Sequence, residues 1–100
     1  MEFTFFVKVK LQMKPYNWNI EKNIWLKANK NISFEEVVLA IALHQIKDVY
    51  EHPNQSKYPN QKFYKIELND YIYLVPLIES ANELFLKTII PGRKATKKYK

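Results

Sequence analysis

Apolar residues recur at helical spacing between positions 20 and 42 and at strand spacing from position 45 onward, so helices come first and a sheet follows. Segment 20–30, IEKNIWLKANK, sets Ile20, Ile24 and Ala28 four apart with Trp25 beside them, which predicts a first helix. Ser33 and Glu36 then form an S-x-x-E capping box, and Ile32 and Val37 occupy the two positions of a hydrophobic staple. A second helix therefore starts at Phe34. Its apolar set of Phe34, Val37, Val38, Ile41 and Ala42 docks on a sheet or on the first helix.

The sheet is predicted from residues 45–51, 62–68, 71–79 and 84–90, the last three forming an antiparallel meander. Asn69 and Asp70 link two of these runs, and both tolerate the positive φ of a tight hairpin. Pro76 cannot donate to a ladder, so it marks an edge, a bulge or a frayed end. Residues 52–61 make a polar loop, and Pro91-Gly92 stops the last strand. The expectation is an α+β fold: two N-terminal helices packed on one face of a curved, mainly antiparallel sheet of about four strands.

Ahead of this lies residues 2–11, where Phe3, Phe5, Val7, Val9 and Leu11 alternate with Thr4, Phe6, Lys8 and Lys10. Residues 1–12 are either an added edge strand or an extension upstream of a start at Met13. Residues 13–100 form a single domain, since one hundred residues leave no room for two cores. Hydrophobic residues make up 47% of the chain, enough for a real core.

The chain has no cysteine, which excludes disulfides, thiolate nucleophiles and zinc knuckles and suits the cytoplasm. No sustained apolar stretch spans a membrane. Its two histidines, eight residues apart, make a poor metal set, and its one glycine rules out a phosphate-binding glycine loop, so neither metal nor cofactor is expected. Sixteen basic residues against ten acidic leave a formal charge of +6, which favours a polyanion or an acidic protein as partner.

The runs YNWNIEKNIWLKANKNISFEEVV, DVYEHPN and FLKTIIPGRKATKKY, in this order and spacing, resemble the BrnT toxin family over residues 16–99. The resemblance implies a RelE-like fold and the toxin of a bacterial type II toxin–antitoxin system: a metal-independent endoribonuclease cleaving messenger RNA, at the ribosome or free of it. It further implies a cognate antitoxin with a ribbon-helix-helix DNA-binding domain, through which alone the toxin meets DNA. The chain differs from the family at Asn19, where Asp is usual, at Asn29 to Asn31, which replace a His-Gly turn, and at Lys62, where Arg is expected. A weakened homologue that binds RNA or the antitoxin without cutting is accordingly the alternative.

RNA cleavage needs a base for the 2′-hydroxyl, cations on the phosphate and an acid for the leaving oxygen. Arg93 is the sole arginine; its planar fork suits bidentate phosphate contact, and otherwise it is a solvated tail cation. His52, an imidazole and so a side-chain type suited to proton transfer, and Lys62 complete the candidate catalytic set. His44 is better explained as a helix-end histidine meeting the C-terminal dipole. Lys94, Lys97 and Lys98 form an electrostatic patch, Lys22 stands at the family's Lys on the first helix, and Trp18, Tyr58 and Tyr99 are candidates for stacking on bases.

Overall fold

A computed structural model describes residues 14–92. The alternating segment 2–11 and the candidates Arg93, Lys94, Lys97, Lys98 and Tyr99 lie outside the described residues. The elements are β1 (Tyr16–Trp18), α1 (Ile20–Lys30), α2 (Phe34–Ala42), β2 (Ile46–Glu51), β3 (Gln61–Leu68), β4 (Tyr71–Glu79), β5 (Leu84–Leu86) and β6 (Ile90–Pro91). Among the described residues this is an α+β fold with two helices and a mostly antiparallel, open, six-stranded sheet.

Both helices begin where local chemistry puts them. The Asn19 side chain accepts from Lys22 N–H and caps α1. Both bonds of the Ser33–Glu36 capping box are made, and Ile32 and Val37 are buried beneath it. Asn31 ends α1 with φ 54° and ψ 39°, a left-handed cap that asparagine tolerates better than most residues. Asn69 and Asp70 also have positive φ, 53° and 64°, as a two-residue turn twisting with its strands requires.

The strand order is β1-β5-β4-β3-β2, with β6 also paired to β4. The meander is present as expected. The sheet, however, has six strands rather than about four, because Tyr16–Trp18 pairs in parallel with β5 and the last predicted strand divides into β5 and β6. Pro76 explains the division. Its carbonyl accepts from Lys87 N–H, but it has no N–H to return, and three steps from Leu77 to Leu74 are matched by four from Leu86 to Ile90. The proline thus sits in a central strand and is accommodated by a bulge opposite it. The β2 edge carries charged side chains and a register shift between Ile46 and Asp48, both of which discourage pairing with another chain.

The core lies between the helices and one face of the sheet: Leu26, Phe34, Val37 and Ala40 meet Ile66, Val75, Leu77 and Leu86. Trp18 stacks on Phe34 with ring centroids 5.6 Å apart. Asn23 joins the two helices: its Oδ1 accepts from Phe34 N–H at 2.8 Å, and its Nδ2 donates to Glu35 at 2.8 Å. Burying this amide is tolerated because it is satisfied; left unpaired, such a group costs about 1–3 kcal/mol. On α1, Asn23 and Leu26 face inward, while Ile20, Ile24 and Trp25 are exposed. The stripe that predicts the helix is therefore not the face that packs. A single leucine and a hydrogen-bonded asparagine suffice to dock a helix whose other side is more apolar.

Candidate functional site

Two clefts lie at opposite ends of the central strand. The larger, about 420 Å³, lies at the loop end and is lined by Lys14, Glu51, Gln55, Asn60, Lys62, Glu79, Ser80 and Ala81. Lys14 and Lys62 both donate to Glu79, at 2.7 Å and 2.5 Å. These bonds pull the Glu79 carboxyl down to about 2, Lys14 having the larger effect, and raise Lys62 above its ordinary value. Nearby, burial and then the neighbouring Tyr64 push Tyr16 up to about 12. Two ammonium groups face two carboxylates, so this cleft has no net attraction for a polyanion. Its geometry is that of an ion-paired clamp tying the entry to β1 to the ends of β3 and β4.

That clamp has a signed pH dependence. Because the folded Glu79 titrates below a free glutamate, its stabilisation is fully present above about pH 4.5 and is lost as pH falls toward 2. Glu79→Gln is expected to lower the urea midpoint at pH 7, with the gap to the parent closing by about pH 2. An equal gap at both pH values would contradict the clamp.

The smaller cleft, about 270 Å³, lies at the hairpin-turn end and is lined by Lys30, Ile32, Tyr71, Tyr73, Ile89 and Pro91. Tyr71 and Tyr73 are two residues apart on one strand, so they share a face, and their rings lie 5.0 Å apart. Burial, then Tyr71 and Glu36, raise the Tyr73 phenol above its ordinary value. Tyr73 therefore keeps its proton at neutral pH and has a hydroxyl able to donate a hydrogen bond. Pro91 pairs with Tyr73, and Gly92 N–H donates to Ile72 C=O at 2.9 Å. The chain that continues into the run RKATKKYK thus leaves the described structure beside this cleft, whose lining has one lysine and no acid.

The predicted site residues that lie among the described residues do not converge. Lys62 is opposite Leu77 and Gly92 is bonded beside Ile72, five residues along β4, or about 17 Å at strand rise. His52 lies across the sheet from Lys62: its ring sits 4.3 Å from Tyr58 and 5.6 Å from Phe63, and Phe63 points away from its neighbour Lys62. The His52 Nδ1 accepts from Asn54 N–H. Tyr58 is half-buried in this stack, and Trp18 is packed against the core rather than lining either cleft. Lys22 Nζ lies 4.7 Å from the centroid of Trp25. Lys30, Tyr71 and Tyr73 went unmarked in the sequence; the i, i+2 spacing of the tyrosines was a legible signal, whereas the approach of Lys30 from another element was not.

Among the described residues no group of His, Asp or Glu is placed to hold a metal ion, and no helix is long and apolar enough to cross a membrane. Comparison with protein-family models, with curated proteins and with solved structures returned no match.

Proposed function

We propose that this chain is a BrnT-like toxin with a RelE-like fold, an endoribonuclease that cuts messenger RNA without a metal. An antitoxin carrying a ribbon-helix-helix domain holds it inactive in the bacterial cytoplasm. The observation that carries the reading is the hydrogen bond from Gly92 N–H to Ile72 C=O beside the cleft of Lys30, Tyr71 and Tyr73, after which the sequence continues as a five-cation run. The left-handed Asn31 supports the resemblance as well, since it stands in the turn where the family has His-Gly.

In this reading Lys30 and Arg93 hold the phosphate as charge develops, and the protonated Tyr73 donates a hydrogen bond to it. A polyanionic substrate is drawn by the excess of lysine and loses affinity steeply with salt. A second reading, binding without cleavage, is favoured by one observation: neither histidine is at the turn-end cleft. His44 follows α2 and lines none of the clefts described, and His52 is stacked on Tyr58.

Purified protein incubated with messenger RNA is expected to cleave it at the same rate with and without a chelator. Cleavage that the chelator stops would overturn the metal-free mechanism, and RNA left uncut but retarded on a gel would decide for the binding module.

A further inference from the structure

Helical residues advance by about 100°, so Ile20, Ile24, Ala28 and Trp25 occupy one arc of α1, opposite Asn23 and Leu26. Trp25 is 46% exposed, an unusual position for the largest aromatic side chain. Two cations gather on it: Lys22 Nζ is 4.7 Å and Lys30 Nζ 6.0 Å from the ring centroid. Lys30 also lines the turn-end cleft, so the indole and the cleft share a residue. An exposed ring between two cations, next to a cleft whose lining carries one of them, has the composition of a surface that takes stacked bases and their phosphates.

We infer that Trp25 is a stacking platform for an unpaired base of single-stranded RNA, with Lys22 and Lys30 meeting the flanking phosphates; this rests on the RNA-binding reading above. The surface extends the turn-end cleft along the outer face of α1. It selects single strands, because a base within a duplex has no free face to offer. An acidic protein segment is the competing occupant of this apolar arc. It is disfavoured because the two ammonium groups sit at the indole ring rather than along Ile20 and Ile24, so the positive charge accompanies the aromatic face, as a base with flanking phosphates requires. Glu21, one turn before Trp25, opposes either anion equally.

The test uses a twelve-residue uridine RNA, alone and as a duplex with its complement, followed by tryptophan emission and by filter binding. The single strand is expected to quench the parent's emission. Trp25→Phe keeps an aromatic face, so it should retain single-strand affinity within about threefold yet lose the quench, which assigns the signal to Trp25 rather than Trp18. Trp25→Ala should weaken single-strand binding about tenfold or more and duplex binding by less than about twofold. Trp25→Ala binding the single strand within twofold of the parent, or a quench that survives Trp25→Phe, overturns the stacking platform while leaving RNA binding intact. Such a result would give the arc to a protein partner. A parent that binds neither RNA overturns the functional reading itself, and this inference with it. Because Trp25 is exposed, circular dichroism of both variants is expected to match the parent.

Discussion

On the ribonuclease reading proposed above, Arg93→Ala protein is expected to cleave RNA at least about a hundredfold more slowly than the parent, the loss typical when one preorganised charge contact to a developing anion is removed. Three considerations single out this residue. It is the sole arginine, so no neighbouring guanidinium can replace its two-pronged contact with phosphate. It follows Gly92 directly, and Gly92 is hydrogen-bonded beside the cleft. The other cations of the run are lysines, which attract RNA as point charges and are partly interchangeable, so single Lys94, Lys97 or Lys98 to Ala changes should each weaken binding only modestly. Arg93→Lys separates geometry from charge: recovery of less than a tenth of the parental rate is expected. Growth arrest on induction of the gene, scored for parent and Arg93→Ala at equal protein levels, gives the same comparison in cells. Unchanged arrest in the variant would remove Arg93 from the site.

Phe34→Ala is expected to cost about 3–5 kcal/mol of folding stability, a large share of the roughly 5–15 kcal/mol typical of a domain. Phe34 is fully buried, opens α2, stacks on Trp18 and belongs to the core cluster that joins both helices to the sheet. Its backbone bond to Asn23 survives the substitution, so the loss reports packing alone. Urea denaturation followed by circular dichroism measures it. Trp25→Ala, on the outer side of α1, should shift the same curve by under about 0.5 kcal/mol. A Phe34→Ala loss below about 1.5 kcal/mol would mean that the core is not organised around this ring.

The contrast between these two aromatics marks where sequence reasoning reached and where it stopped. Both belong to helices that were legible: α1 from the spacing of Ile20, Ile24 and Ala28, though its Asn19 cap was not read, and the start of α2 because its capping box is a contact between residues three apart, which Ser33 and Glu36 close whatever the rest of the chain does. The Asn69-Asp70 turn was legible for the same reason. Which face of α1 turns inward was not: Ile20, Ile24 and Trp25 make the more apolar stripe, yet Leu26 and Asn23 are buried, because Asn23 finds Phe34 N–H and Glu35 on the neighbouring helix. Periodicity identifies a helix from its own residues, but the face that packs depends on what the partner helix offers.

The candidate site divides in the same way. The concentration of cations after Gly92 is a property of the chain, as is the absence of cysteine. Which lysines remain available to an anion is a property of the fold. Lys62, a candidate in the sequence where the resembled family has Arg, has its ammonium claimed by Glu79, seventeen residues later, through the β3–β4 register. Lys30, unremarkable in the sequence, lines a cleft with Tyr71 and Tyr73, which lie more than three strands' length further along the chain. The order of elements, their caps and the tight hairpin turn were thus determined locally, by contacts a few residues long. The parallel pairing of Tyr16–Trp18 with Leu84–Leu86, the outward face of α1, and the division between paired and available cations were decided only by tertiary structure. Each of these depends on partners distant in sequence, whose meeting is set by strand register and helix docking rather than by any neighbouring residue.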